Sequence, residues 1–490
     1  MAFGFFKKNE TADIIFMGGR IFTLNPDFPE VEAVACRDGI ILDIGDYDDL
    51  SGLEGKNTEI VDLEGGVMLP GYIDTCGYPA LNALEGSCLF LNEGGPDDIM
   101  DQISGYAASN PDAGVIFAYG YDETILEGVE GEQARAMLDK ACGDKPAVVL
   151  GKSGFHCIIN TAALEIVKAA AEEDEVKAVT IPYLLGILEP IDLEAISGAA
   201  LAVMEKYCER GFTAVFDCGA PDFFSSIYQN ILVHIYQENL LKQKYYGSLL
   251  ITQDVNPKAV MNRLSQFRTN CVELNGYINF KTLKLIVEGS EENLSVSDEV
   301  LRELCVEAGD KGFDVHIDAW GEEAVSEAVE ALAAARSAGY KKNEFTLVHD
   351  PVSDPGELSD TCYHLDVTEI VRTPDTAGLS TAGHSRTSGA PGSTDNDFLC
   401  IQNAKTVEEA VDLLTVDAAA QLGISGSYGS IERGKHADFV IFDENPFEAA
   451  GLKELKNLKA AMTVIDGVVV YDAKEDDPST WHSMLDEQQD

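Results

Sequence analysis

Short apolar runs broken by glycine turns occur at both ends of the chain. Near the start, apolar residues fill most of 12–24, and the Asp38-Gly39 pair separates two further runs. Near the other end, residues 437–442 and 462–471 repeat this pattern. Short runs with Asp-Gly turns are typical of β-hairpins. Because neither end has enough strands for a stable domain, the pattern predicts one small β-sandwich built from both termini.

Between residues 70 and 425, apolar strands alternate with amphipathic helices. Residues 283–287, 314–318 and 345–349 resemble strands, and residues 322–336 place apolar side chains along one helical stripe. Strand–helix alternation over this length is typical of a parallel α/β barrel. The pattern therefore predicts a (β/α)8 TIM-like barrel beside the terminal β-sandwich.

The domain limits follow from these two patterns. We predict a composite β-sandwich domain of residues 1–69 and 426–490, and a barrel of residues 70–425 with an inserted segment at about 80–190. Residues 371–397 are rich in Gly, Ser, Thr, Asp and Pro, which indicates a long loop at one end of the barrel.

The charge balance excludes two classes of partner. The 490-residue chain has 85 Asp and Glu residues against 34 Lys and Arg residues, a formal net charge of −51. A nucleic acid or an anionic membrane surface needs clustered positive charge, so we expect neither as a partner. No apolar stretch reaches the ~20 residues that a membrane span requires.

The cysteines favour a reducing compartment. The 11 cysteines are scattered and form no Cys-x-x-Cys pair, which argues against a zinc ribbon or a disulfide framework. The first residues place two lysines after the apolar positions, unlike a signal peptide. We therefore predict a soluble cytoplasmic protein.

Several stretches resemble one known family. The run at 12–24, the segment 61–74, the block 159–164 and the closing segment 429–440 resemble the amidohydrolase superfamily, specifically its YtcJ-like branch. The resemblance extends over nearly the whole chain. It implies a distorted (β/α)8 barrel with a two-part β-sandwich, one or two divalent metals at the carboxyl-terminal mouth of the barrel, and a homo-oligomer, with a dimer as the default.

The motif that should end the first barrel strand has changed. Family members carry Asp-x-His-x-His there, and its two imidazoles point the same way and hold one metal. Here the stretch reads Asp74-Thr75-Cys76-Gly77-Tyr78, so Cys76 and Tyr78 replace the histidines. A thiolate can bind zinc, whereas a tyrosine with a pKa of ~10 is a poor ligand.

Later positions of the family's site are partly kept. Lys284 matches the strand lysine that is carboxylated and bridges two metals in many relatives, and His349 matches a later histidine ligand. Asp318 replaces a histidine, with His316 two residues earlier. The catalytic Asp should lie near residues 382–385, where none occurs. That Asp takes a proton from metal-bound water, so its loss removes the general base.

The candidate site combines several of these residues. Lys284 and His349 are the candidate catalytic residues. The candidate metal ligands are Cys76, Asp318 and His349, and the candidate substrate-binding residues are Tyr78, His156, His316, Trp320 and His384. His156 is shifted by one from the family's substrate-side histidine, which Phe155 replaces, and Asp395 or Asp397 could supply the missing carboxylate.

Each candidate also has a structural interpretation. Cys76 suits a small buried thiol as well as a metal ligand or a nucleophile. Lys284 suits an ion pair with Asp318 or Glu288 as well as a functional role, and His316 suits a packed core histidine.

Two hypotheses about function follow. The first is a pseudoenzyme that has largely lost its hydrolytic centre, holds no cofactor, and binds a small molecule or serves in an assembly. The second is a hydrolase of carbon–nitrogen bonds, or of esters, with one divalent metal such as zinc on three protein ligands and water. Four positions of one site have changed while the scaffold motifs are kept, which favours the first hypothesis.

Overall fold

A computed structural model of the chain describes residues 11–91, 94–126, 131–176, 178–274, 276–290, 293–371, 404–448, 455 and 458–474. In these residues the strands are, in chain order, β1 (Ile14–Phe22), β2 (Glu30–Arg37), β3 (Ile40–Gly45), β4 (Glu59–Asp62), β5 (Val67–Pro70), β6 (Tyr72–Gly77), β7 (Leu89–Phe90), β8 (Ile116–Tyr121), β9 (Ala147–Gly151), β10 (Cys157–Ile159), β11 (Phe212–Asp217), β12 (Lys244–Ile251), β13 (Ile278–Ser290), β14 (Asn293–Leu294), β15 (Asp314–Trp320), β16 (Phe345–His349), β17 (Thr368–Val371), β18 (Phe439–Phe442), β19 (Met462–Ile465) and β20 (Val468–Asp472).

The helices are α1 (Tyr47–Leu50), α2 (Pro79–Ser87), α3 (Pro96–Ser109), α4 (Gly131–Cys142), α5 (Thr161–Glu173), α6 (Ile181–Leu188), α7 (Leu193–Glu209), α8 (Asp222–Gln237), α9 (Pro257–Asn270), α10 (Asp298–Asp310), α11 (Glu322–Ser337), α12 (Pro355–Leu365), α13 (Val407–Leu414) and α14 (Val416–Gln421). None of the described helices combines the length and the apolar character needed to cross a membrane.

Seven of the described strands form one curled parallel sheet. Their order is β6-β11-β12-β13-β15-β16-β17, and every neighbouring pair is parallel. Parallel strands need long crossover connections, and helices α8 to α12 supply them between successive strands. The prediction of an α/β fold with a parallel sheet is therefore confirmed, and the described strands form a half-barrel.

The two faces of this sheet have different partners. Leu283, Leu285 and Val287 alternate along β13 and pack into the main core, which also contains the apolar side chains of α10 and α11. The intervening positions face an interior. Ile73 of β6 and Ile370 of β17 belong to one buried cluster there, although their strands lie at opposite ends of the sheet. This alternation follows the period of two along a strand.

The two ends of the chain share a second sheet. Its order is β20-β19-β18-β5-β1-β2-β3, with β4 also paired to β1. Both Asp-Gly pairs form two-residue hairpin turns with positive φ, at 38–39 and at 466–467. The described strands of both termini therefore form one sheet. The two-layer sandwich and the domain limits at residues 69 and 426 stay predictions.

A third sheet lies between β6 and β11 in the chain. Its order is β10-β9-β8-β7, and its apolar side chains pack against Ile103 of α3 and Leu138 of α4. All four strands fall within the segment 80–190 that the sequence predicts as an insertion.

Helix α14 closes the interior at the amino ends of the described strands. Ala418 and Ala419 pack in the same buried cluster as Phe216 and Tyr246. The cavity that remains beside Gln421 has a volume of about 20 Å³, which is little more than one water molecule needs. Among the described residues, the space beside this helix is therefore too small for an organic ligand.

A buried ion network joins the curled sheet to the terminal sheet. Lys244, the first residue of β12, is 1% exposed. Its Nζ lies 2.9 Å from Oδ1 of Asp438 and 2.8 Å from Oδ1 of Asp466. The Tyr277 hydroxyl donates to Oδ2 of Asp466 at 2.6 Å, and Nδ1 of His436 lies 2.7 Å from Oδ1 of the same carboxylate. Lys244 thus neutralises carboxylates that burial would otherwise destabilise.

Lys244→Met should destabilise the protein strongly. The variant leaves Asp438 and Asp466 without their ammonium partner, and breaking a buried ion pair from one side costs about 3–5 kcal/mol. Urea unfolding at neutral pH measures the loss. Lys258→Met, at an exposed position on α9, is the matched control and should change stability by less than about 0.5 kcal/mol. Equal effects of the two substitutions would contradict this role of Lys244.

Candidate functional site

Lys284, His316 and Asp318 share the interior face of two neighbouring strands. In the pairing of β13 with β15, Lys284 lies opposite His316 and Ile286 lies opposite Asp318. Because alternate residues of a strand share a face, this register turns the side chains of Lys284, His316 and Asp318 to the interior. Lys284 Nζ lies 2.8 Å from Asp318 Oδ1, and the two side chains are 0% and 7% exposed.

The contact between Lys284 and Asp318 is a buried ion pair. An isolated ammonium or carboxylate group loses several kcal/mol of solvation when it leaves water, and a close opposite charge recovers much of that loss. Of the two interpretations of Lys284 that the sequence left open, the geometry agrees with an ion pair, and the partner is Asp318. The other partner that the sequence offered for Lys284 was Glu288, which lies four residues further along β13.

His316 is buried and packed beside this ion pair. Its ring stacks on Phe216, with centroids 5.3 Å apart and planes 12° apart. Its Nε2 lies 3.7 Å from Asp318 Oδ1, and the residue is 3% exposed. This environment agrees with the core interpretation of His316 and gives a ligand little access to the ring.

His349 lies on the other face of the sheet. Asp318 pairs with Val348, which belongs to the interior cluster, whereas the neighbouring Leu347 belongs to the outer core. The His349 ring makes two contacts: Nε2 lies 3.1 Å from Oε1 of Glu369, and Nδ1 lies 2.7 Å from the Asp350 carbonyl oxygen. These two contacts occupy both ring nitrogens, and the tautomer decides which of them donates an N–H.

Glu369 is the side chain that contacts the His349 ring. Burial alone would raise the pKa of its carboxyl group, but hydrogen bonds from His349 and Ser359 outweigh burial and hold the pKa below its ordinary value. Glu369 therefore stays ionised and keeps His349 in place. Sequence reasoning did not single out Glu369, because no motif connects β17 with the end of β16.

Three other candidate residues lie at or beside the ends of strands. Tyr78 directly precedes α2 and is partly buried against the interior cluster. Trp320 ends β15 and is 42% exposed. The side chain of His156, just before β10, is 68% exposed, and its Nδ1 lies 3.8 Å from a glutamate oxygen. Their roles in substrate binding stay predictions.

Several predicted positions fall outside the described residues. Cys76 belongs to β6, but its side chain is not among the described ones. His384, Asp395 and Asp397 lie outside the described residues altogether, as does the predicted loop from residue 372 onwards.

The described donors do not fit a divalent metal. A catalytic zinc ion takes three protein ligands and keeps an open position. Among the residues that the structure describes, no group of three or more His, Cys, Asp or Glu side chains is arranged to hold a metal. Asp318 is neutralised by an ammonium at 2.8 Å, and His349 points away from it. Two of the three predicted ligands therefore do not converge.

Two further buried aspartates, which the sequence analysis did not include among the site residues, lie in the neighbouring strands β6 and β11. Asp74 in β6 is 0% exposed, and its Oδ2 accepts a hydrogen bond of 3.0 Å from the Tyr207 hydroxyl. Asp217, which ends β11, accepts from the Tyr245 hydroxyl and from the Gly219 amide. Asp74 is the first residue of the altered Asp-x-His-x-His motif, whereas the only signal for Asp217 was its position at the end of an apolar run.

Asp217 fixes two loops at the carboxyl ends of the strands. Its carboxylate also accepts a hydrogen bond from the Ala80 amide in the first turn of α2, so it ties that turn to the Gly219 turn after β11. Burial raises the pKa of Asp217 to about 6, although the hydrogen bonds from Tyr245, Gly219 and Ala80 oppose this shift.

The family follows from comparison with known proteins. Residues 59–361 and 377–471 match the model of the amidohydrolase family. The chain therefore belongs to the amidohydrolase family, in agreement with the resemblance in its sequence.

Individual relatives agree with this assignment. The exoenzymes regulatory protein AepA of Pectobacterium carotovorum subsp. carotovorum is 22% identical over 452 residues, which cover 84% of this chain and 96% of AepA. YtcJ of Bacillus subtilis (strain 168), which is named as an amidohydrolase, is 24% identical over 543 residues, covering 94% of this chain and 99% of YtcJ.

A solved structure shows the same fold. Atrazine chlorohydrolase TrzN from Arthrobacter aurescens TC1, complexed with zinc, superposes with a TM-score of 0.57 at 13% identity and covers 96% of this chain and 98% of TrzN.

The raised pKa of Asp217 predicts a specific pH dependence of stability. In the native state this carboxyl group has a pKa of about 6, whereas in the unfolded state its pKa is near 4. Between these two pH values the native state therefore keeps a proton that the unfolded state has released. The contribution of Asp217 to native stability therefore falls as the pH rises from about 4 to beyond 6. Between pH 5 and 7.5 this single group should account for about 1 kcal/mol of the loss.

Asp217→Asn isolates this contribution. The variant should show a stability loss that is smaller by about 1 kcal/mol over the same pH interval in urea unfolding, whatever its absolute stability. Asp112→Asn, at an exposed position, should keep the wild-type pH dependence. An unchanged slope in Asp217→Asn would contradict the buried, protonated carboxyl group.

Proposed function

We propose that this chain is a non-hydrolytic member of the amidohydrolase family that binds a small molecule at the carboxyl-terminal mouth of its curled sheet. The ion pair between Lys284 and Asp318 carries this proposal. Hydrolysis in this family depends on a metal that activates water. Asp318 is the predicted metal ligand that carries a carboxylate in the described interior. The fixed ammonium group of Lys284 beside it opposes the binding of a second cation there.

The contacts of His349 support the same proposal. Both ring nitrogens lie within hydrogen-bond distance of protein oxygen atoms, and the residue is 1% exposed. To serve as a metal ligand, the ring would have to give up Glu369 and turn to the other face of the sheet. In this proposal His349, although it matches a ligand position of the family, serves as a structural contact between β16 and β17.

Binding at the mouth is supported by what surrounds it. Trp320 presents a half-exposed indole at the end of β15, and Asp217 holds the turns after β6 and β11 in fixed positions. An exposed aromatic ring on a rigid frame favours recognition of an organic molecule. The name of the relative AepA describes a regulatory role, which agrees with a function other than hydrolysis.

Metal-dependent hydrolysis of carbon–nitrogen bonds is the second candidate function. The zinc in TrzN favours this candidate. TrzN therefore does not support the prediction that this chain holds no cofactor. In this candidate, Cys76 would join Asp318 and His349 around one divalent ion. Lys284 would have to leave Asp318, and His349 would have to leave Glu369, before that ion could bind.

Further predictions belong to the same proposal. We infer a closed eight-stranded barrel, a two-layer terminal β-sandwich, a cytoplasmic location and a homodimer, the commonest closed form of an oligomer. The net charge of −51 supports the absence of nucleic-acid and membrane partners.

Metal content separates the two candidate functions. Protein expressed with added zinc, manganese and iron, then dialysed, should retain far less than one metal ion per chain by elemental analysis, because Lys284 already neutralises Asp318. The same preparation should not hydrolyse a panel of N-acyl amino acids, amides and esters. Near-stoichiometric metal in the wild type that is lost in His349→Ala would overturn the proposal in favour of the hydrolase.

His364→Ala is the matched control for this measurement. His364 is an exposed histidine on α12, so its removal should leave metal content unchanged under either candidate function. A parallel loss of metal in both variants would indicate surface binding, which leaves the interior free of metal as proposed.

A further inference from the structure

A cavity lies outside the barrel interior, between the terminal sheet and helix α13. Its volume is about 570 Å³, within the range of small-molecule sites. The walls come from the end of β1 and the turn after it, from α13, and from residues 445–448. None of these residues belongs to the candidate site at the strand ends.

The floor of this cavity is apolar and aromatic. Phe22 and Phe447 pack edge to face, with ring centroids 4.8 Å apart. Leu24, Pro26 and Pro29 extend the same surface. Prolines and aromatic rings lose little conformational freedom when a ligand binds, so this surface is well suited to an apolar body.

The charges around the floor are unequal. Arg20 lies over the Phe22 ring at 4.7 Å. It is already engaged by Glu30 at 2.9 Å and by Glu448 at 3.6 Å. Glu408 and Asp412 line the α13 side. The lining therefore holds three carboxylates, from Glu408, Asp412 and Glu448, against one guanidinium group.

Glu408 and Asp412 repel each other where they stand. They are four residues apart on α13 and so lie on one face of the helix, where like charges are unfavourable. Burial raises the pKa of Asp412, and the charges of Asp417 and Glu408 raise it further. A cation placed between Glu408 and Asp412 would relieve this repulsion.

From this arrangement we propose that the cavity binds a small organic cation, in which an ammonium group meets Asp412 and Glu408 while an aromatic or aliphatic body lies on Phe22 and Phe447. The site is independent of the function proposed for the barrel interior, so either can fail without the other.

Isothermal titration of the full-length protein tests this site with a matched pair of probes. 4-Phenylbutylammonium should bind saturably with one molecule per chain, and the neutral 4-phenylbutan-1-ol should bind at least about fivefold more weakly, since it lacks the charge that meets the carboxylates. Asp412→Asn should weaken binding of the ammonium probe by about fivefold and leave the alcohol unaffected. Phe447→Ala should weaken both probes.

The net charge of −51 attracts any cation, so a charge control is essential. Glu444→Gln removes one exposed carboxylate that does not line the cavity. It should leave the affinity for 4-phenylbutylammonium unchanged within twofold. Equal binding of the two probes, equal effects of Asp412→Asn and Glu444→Gln, or absence of saturable binding would each overturn the proposed site. Urea unfolding of each variant verifies that it is folded.

Discussion

A lysine buried in the curled sheet has to meet a carboxylate, and the structure is arranged around this requirement. The contact of 2.8 Å between Lys284 and Asp318 joins β13 to β15 across the interior. A slip of one residue in either strand would move a charged side chain to the face that packs against helices, so the ion pair also fixes the register. Lys244 meets the same requirement at the amino ends, where it joins the curled sheet to the terminal sheet.

The fold was largely predictable because its strands and helices repeat in a regular order. The strand predicted at 345–349 coincides with β16, since a strand buried on both faces is a short apolar run. Whether the terminal strands make one sheet or two was not predictable. That depends on β5 pairing with β18, which lies near the other end of the chain, and no local pattern encodes such a pairing.

The candidate site was predictable only in part, because sequence positions do not give side-chain directions at a strand end. The pairing of Lys284 with Asp318 was one of two open interpretations, and it required a distance to choose between them. His349 was assigned to the site by resemblance, but its contact with Glu369 depends on the register of β16 with β17. Asp217 was missed because its partner Tyr245 lies 28 residues away and in no motif.

The central claim is that Lys284 and Asp318 stabilise each other in place of a metal. A double-mutant cycle with Lys284→Met, Asp318→Leu and both together, followed by urea unfolding of metal-free protein, measures their coupling directly. Each single substitution leaves a buried charge without its partner and should cost about 3–5 kcal/mol. The double variant should cost at least about 2 kcal/mol less than the sum of the two. Additive losses would mean that the two residues do not interact, and would contradict the account.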